Sequence, residues 1–186
     1  MNKLIIVTGD LAAGKSTFSK RLADRYGVTA YNKDDIKEVL VDTIGFSNRE
    51  ENLKLSKAAV GLMCYRFTEA AKARRDIILE ANFRDGELIH IEELAKERGY
   101  GIMTLCMQGD VETLYERFQN RIKNENRHPA HQSVGIQNSD DFKAYLESIR
   151  NEYLPGKAIR IDASDFSYNE DESLLDEIDA FMKADM

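Results

Sequence analysis

Gly9-Asp10-Leu11-Ala12-Ala13-Gly14-Lys15-Ser16, continued by Thr17, is the stretch that decides the fold. Its spacing, G-x-x-x-x-G-K-S, is that of a phosphate-binding loop. Gly9 and Gly14 permit backbone torsions that a side chain forbids, so the amides between them can curl inward around an anion. A helix starting near Lys15 adds the positive end of its dipole. Lys15 then reaches the β- and γ-phosphates of a nucleotide, and Ser16 ligates Mg2+. The flanks agree with this reading. Leu4-Ile5-Ile6-Val7 is a continuous apolar run, as a parallel strand buried on both faces requires. Phe18, Leu22 and Ala23 follow at helical spacing.

Outward from the loop, strands and helices alternate. The first strand is expected at about Lys3–Thr8, and its helix runs to Tyr26, where Gly27 ends it. A short strand at Val28–Tyr31 leads into a helix whose first turn suits Asp34 or Asp35. That helix carries Ile36, Val39 and Leu40 on one face. A long helix, about Arg49–Ala73, shows Leu55, Ala59, Leu62, Met63 and Phe67 at helical spacing. Then come a strand at Asp76–Ala81, a helix at Glu87–Arg98 capped by Gly99, and a strand at Gly101–Met107. Asp110 caps a helix bearing Val111, Leu114, Tyr115, Phe118 and Ile122. Asn124–Asn138 is polar and weakly periodic and reads as a mobile loop. A helix at Asp140–Tyr153, a strand at Lys157–Ile161 and an acidic helix at Glu170–Met182 complete the chain. The alternation implies an α/β domain with a parallel sheet. In such sheets ligands bind beyond the carboxyl ends of the strands, which nominates Gly9–Ser16, Asn32–Lys37, Glu80–Arg84, Gln108–Asp110 and Asp162–Asp165 as the rim of a site.

The 186 residues suit one domain, 1–186, with a sizeable core. A net charge of −7 argues against a long nucleic-acid track, which needs a basic footprint, yet leaves room for a local basic pocket. Cys64 and Cys106 lie in apolar surroundings without metal spacing and read as small core residues of a reducing cytoplasm. No apolar run approaches the ~18 residues of a membrane span, and no signal peptide precedes the first strand. Nothing in the sequence specifies an oligomeric state.

Two GTPase-like signatures occur, Asn32-Lys33-Asp34-Asp35 (N-K-x-D) and Asp42-Thr43-Ile44-Gly45 (D-x-x-G). Their order is reversed relative to GTPases, and the first lies too close to the phosphate loop. A kinase fits better. Transfer of a γ-phosphoryl needs an acceptor hydroxyl in line, and an Asp beside the loop can accept its proton; the residues alone leave Asp34 and Asp35 open. Lys37 shares a helix face with Asp34 and could hold the acceptor or the γ-phosphate. Glu80 closes an apolar strand in the manner of a Walker B acid and would orient Mg2+ or the acceptor. Asn82 and Arg84 follow on the loop as substrate-binding candidates. Arg117 and Arg121 share a helix face, and Arg127-His128-Pro129 follows, so 117–138 reads as a lid. Its arginines would neutralise charge as it spreads in the transition state and help exclude water.

These stretches together, from Thr8–Thr17 through Asn32–Lys37 and Ile78–Asn82 to the Arg117/Arg121/Arg127 lid, resemble the P-loop kinases related to polynucleotide 5′-kinases, zeta toxins and chloramphenicol phosphotransferases, over roughly Met1 to Tyr153. The resemblance implies five parallel strands in the order 2-3-1-4-5 with helices on both faces. It points to Asp34 as the general base and maps the neighbouring basic residue to Lys37. It places the long helix over the acceptor pocket, and the adenine ring between the Arg117 region and Asp162–Asp165. The chain departs from polynucleotide kinases in carrying Lys37 and Glu80 where Arg and Asp are usual. Asp10-Leu11-Ala12-Ala13 also replaces the common P-G-S-G core, which would set the Asp10 carboxylate near the acceptor side. The expected function is ATP- and Mg2+-dependent phosphoryl transfer to a small-molecule, nucleoside or nucleotide hydroxyl. Its rivals are a polynucleotide 5′-hydroxyl kinase and, from another class, an ATP sensor or ATPase without an acceptor.

Overall fold

The computed structural model describes residues 1–84, 86–124, 128–131 and 135–184. Five strands, β1 (Lys3–Gly9), β2 (Thr29–Asn32), β3 (Ile77–Glu80), β4 (Gly101–Gln108) and β5 (Lys157–Asp162), form one parallel sheet in the order β2-β3-β1-β4-β5. Among the described residues, seven α-helices connect and flank them: α1 (Lys15–Tyr26), α2 (Lys33–Ile44), α3 (Arg49–Lys72), α4 (Glu87–Glu97), α5 (Val111–Asn124), α6 (Ser139–Arg150) and α7 (Glu172–Lys183).

The apolar run of β1 explains the layers. Ile5 and Val7 point to one face, where they pack with Phe18, Leu22, Phe118, Phe142, Leu146, Ile178 and Phe181 from α1, α5, α6 and α7. Leu4 and Ile6 point to the other, against Met63, Phe67, Leu88 and Ile91 from α3 and α4. A strand covered on both sides has no polar face, which is why its sequence does not alternate. The register then aligns the strand ends, pairing Asn32 with Glu80, Gly9 with Met107 and Gln108 with Asp162. All the candidate rim segments leave the sheet at that edge.

Several expected details differ. Asp34 and Asp35 stand in the first turn of α2 as expected, and Asn32 caps that turn; its side chain accepts from the amides of Asp34 at 2.6 Å and Asp35 at 3.4 Å. The buried face of α2 carries Lys37 and Val41 while Val39 is exposed, because the helix packs mainly against α3, where Val41 meets Leu55. Leu62 and Ile122 also face outward. The stretch expected as a loop contains a 3-10 turn at Pro129–His131. Arg127 lies outside the described residues.

Candidate functional site

The phosphate loop is shaped by two glycines at positive φ. Gly9 has φ +119°, and a Cβ there would stand 2.1 Å from the Met107 carbonyl oxygen on β4. Gly14 has φ +88°, and a Cβ there would meet the Tyr168 hydroxyl at 2.6 Å. Helices α2, α3, α6 and α7 each begin with an Asn or Asp side chain accepting a first-turn amide. Helix α1 begins with Gly14, no side-chain cap and no acid in its first turn. Its leading amides therefore remain available to an anion.

That loop opens into a cavity of about 550 Å3. Residues 11–17 line it, together with Asp34 and Lys37 of α2, Glu80 at the end of β3, Asn82 and Arg84 just beyond it, Arg121 of α5 and the first turns of α3. The long helix thus overhangs the pocket as expected, through Arg49, Asn52, Leu53, Ser56 and Lys57. Seven Lys and Arg line the cavity against three Asp and Glu. In a chain of net charge −7, that local excess marks a site for anions.

Inside the cavity, Lys15 is buried and its Nζ donates to the Asp10 carbonyl oxygen at 2.5 Å. Burial pushes its pKa below the usual lysine value, against the opposing pull of Glu80, Asp34 and Asp10. Burial likewise raises the Glu80 pKa, with Lys15 and the Ser16 hydrogen bond working the other way. Ser16 Oγ donates to Glu80 Oε2 at 3.0 Å. Asn32 Nδ2 donates to Ser16 Oγ at 2.9 Å and also to Glu80 Oε2. Asn32 therefore ties the phosphate loop, Glu80 at the end of β3 and the start of α2 into one unit, a role its sequence context did not suggest. Among the described residues no cluster of three His, Cys, Asp or Glu could hold a metal. The Ser16–Glu80 oxygen pair instead fits Mg2+, which keeps waters and shares phosphate oxygens rather than occupying an all-protein cage.

The two aspartates of α2 part company. Asp34 lines the cavity, whereas Asp35 does not and faces Lys20 of α1 at 4.0 Å on the exposed side. Lys37 lines the cavity, but its Nζ donates to the Ala130 carbonyl at 2.8 Å. His131 and His128 meet Glu38 and Asp42 of the same helix at 2.7 and 3.0 Å. The described turn 128–131 is thereby fastened onto α2, and Lys37 serves it as an anchor.

Asp10 corrects an expectation. Its carboxylate is fully buried and turned from the cavity toward the α6 end, where it accepts from Arg150 Nη2 at 2.5 Å and the Gly109 amide at 3.0 Å. Gly9 and Asp10 shape the loop, and the cradle that lines the cavity begins at Leu11. Arg117 also lies outside the cavity lining. It donates to the Ala163 and Ser164 carbonyls at 2.7 and 2.6 Å and stacks on Phe166 at 4.3 Å. It forms a platform with the segment after β5, where the adenine was expected.

Comparison with known proteins agrees with this geometry. The sequence profile of an AAA domain family, AAA_33, matches residues 4–148. No curated protein matches the chain in sequence. A protein from Chloroflexus aurantiacus j-10-fl described as a "putative kinase" superposes with a TM-score of 0.80 at 26% identity, covering 98% of this chain and 99% of its own. A gluconokinase from Sinorhizobium meliloti 1021 gives 0.60 at 14% identity with 98% of both chains covered. Shikimate kinase from Aquifex aeolicus VF5 gives 0.59 at 14%, covering 96% of this chain and 97% of its own. The two latter likenesses concern the fold. With a profile match over most of its length, a nucleotide-type phosphate loop and the 2-3-1-4-5 sheet, the chain belongs to the AAA_33 family and has the P-loop kinase fold.

Proposed function

We propose that this protein is an ATP- and Mg2+-dependent phosphotransferase that moves the γ-phosphoryl of ATP to a hydroxyl of a small-molecule, nucleoside or nucleotide acceptor. The observation that carries it is Asp34, a carboxylate set in the same basic cavity as Lys15 and Ser16. Lys15 and the amides of 11–17 hold the β- and γ-phosphates. Ser16 and Glu80 hold Mg2+, oriented by Asn32. When bound, the metal neutralises phosphate oxygens and supplies Lewis acidity at the phosphoryl group. Asp34 takes the proton of the acceptor hydroxyl as that oxygen bonds to phosphorus and the bond to the bridging oxygen of ADP breaks. Arg121, with Arg127 as its companion on the 117–138 lid, neutralises the charge that spreads during transfer. Asn82 orients the acceptor, and Arg117 with Phe166 supports the base. The whole chain, 1–186, acts as one catalytic domain in the cytoplasm, consistent with two free buried cysteines. Among the described residues no helix is long and apolar enough to cross a membrane.

The test is the fate of label from γ-labelled ATP offered with nucleosides, sugars, sugar acids, aminoglycosides and 5′-hydroxyl oligonucleotides. Label on a small acceptor supports the proposal. Label on the oligonucleotide alone means a polynucleotide kinase, and label released only as phosphate means an ATPase. Lys15→Ala is expected to abolish all turnover.

A further inference from the structure

Beyond the phosphate loop the cavity is walled by the segment after β3, the first turns of α3, and Tyr145 of α6. Arg84 sits on that wall with its guanidinium over the Tyr145 ring, 4.1 Å from the ring centre. Its Nη2 is shielded from water and has no hydrogen-bond partner among the described residues. The protein treats other guanidinium groups differently. Arg117 is held by the Ala163 and Ser164 carbonyls, Arg150 by Asp10 and Gly109, and Arg25 by Asp179. An unmet donor on a charged group is a costly arrangement, and each one in a folded protein calls for an explanation. Nearby chemistry supplies one. Arg49 and Lys57 of α3 line the same cavity, so positive charge accumulates on this wall. Glu87, which also lines the wall, accepts from the Arg84 backbone amide at 2.9 Å.

The position matters too. Asn32 and Glu80 are paired at the ends of β2 and β3, so Asp34 and Arg84 rise from adjacent strand ends. One is the candidate base, and the other is a planar fork suited to an oxyanion. A cavity of about 550 Å3 shared with a triphosphate tail leaves space for a small second ligand.

We propose that the acceptor is a small molecule bearing an anionic oxygen group, a carboxylate or a phosphate ester, gripped by Arg84 from its Tyr145 shelf while the reacting hydroxyl lies toward Asp34. The assignment rests on the phosphotransferase reading for the role of the ligand. The anion site itself rests on Arg84. Arg84 lines the cavity with Arg49 and Lys57, whose charge draws such ligands in from solution.

The experiment uses 15N-labelled full-length protein saturated with Mg2+ and a non-hydrolysable ATP analogue. It is titrated with malonate and, separately, with inorganic phosphate. The readout is the Arg84 Nε–H signal, assigned by its loss in Arg84→Lys. A saturable shift is expected. Malonate alone shifting the signal identifies a carboxylate ligand, and phosphate alone a phosphate ester. By calorimetry the affinity falls at least tenfold in Arg84→Gln and is partly kept in Arg84→Lys. A wild-type signal that does not saturate with either anion overturns the proposal, and so does an unchanged affinity in folded Arg84→Gln. If Arg84→Gln fails to fold, the wild-type signal alone decides. No phosphoryl transfer enters this measurement. Its failure therefore leaves the phosphotransferase reading standing, and failure of transfer leaves the anion site standing.

Discussion

Lys15 and Asn32 show how single residues set the chemistry here. Lys15 is buried among loop amides before any phosphate is present, and its depressed pKa records the cost of that burial. Relative to the unfolded chain, folding therefore disfavours the charged form. The penalty applies where the folded-state lysine is charged and fades as pH rises from the depressed folded value toward the ordinary one near ~10.4. Lys15→Met is thus expected to melt higher than the parent without nucleotide at pH 7, by about 2–4 °C for each kcal/mol relieved in a chain of this size. The gap should narrow in melts at rising pH and reverse when saturating Mg·ATP is added to the parent. Lys15 was legible in the sequence because glycine spacing is a backbone requirement written directly in residue types. Asn32 was not. Its side-chain bonds to Ser16 and Glu80 depend on the pairing of β2 with β3, and what the sequence displayed was a misleading N-K-x-D.

At the scale of elements, buried Asp10 and partly exposed Arg150 couple the phosphate loop to the end of α6 and, through Gly109, to the end of β4. The Asp10 hydrogen bonds, with its charge, raise the Arg150 pKa. Removing one partner strands a buried charge, so Arg150→Ala should cost about 3–5 kcal/mol in urea unfolding. The double variant Asp10→Ala/Arg150→Met should recover most of that loss. A cost in the double variant equal to the sum of the two single ones would show that the pair does not act as a unit. Local sequence placed Asp10 on the acceptor side because a loop residue's direction is set by what lies behind it, and α6 is 140 residues away. The elements themselves were more readable. Helices α1 and α3 came out within a residue or so because their apolar spacing is long and regular. Helix α2 did not show its buried face, since that face carries Lys37 and Val41 and packs on α3 rather than on the sheet.

For the whole molecule, the sheet order and the alignment of strand ends followed from the strand–helix alternation once the family resemblance was drawn. The closure of the chain on itself was hidden. Helix α7 is tied back to α1 by Arg25 and Tyr26, which both donate to Asp179, at 2.9 Å and 2.6 Å. The Arg25 and Tyr26 hydrogen bonds hold the Asp179 carboxyl far below the usual range, and burial with the same bond raises Tyr26 to about 12. For a depressed carboxyl the stabilisation is complete above the unfolded value near ~3.9 and is lost as pH falls from there toward the folded value. Asp179→Asn should therefore melt below the parent at pH 7 and approach it in acid below about pH 4. A gap that persists unchanged in acid would locate the effect elsewhere. The account as a whole stands or falls on Asp34 as the base acting beside the phosphate loop. Its most direct test is γ-label transfer to the accepted substrate by Asp34→Asn, run beside calorimetry of Mg·ATP binding. The account predicts a transfer rate lower by about 10²–10⁴-fold, with nucleotide affinity retained. Transfer at the parent rate with the same affinity would contradict it.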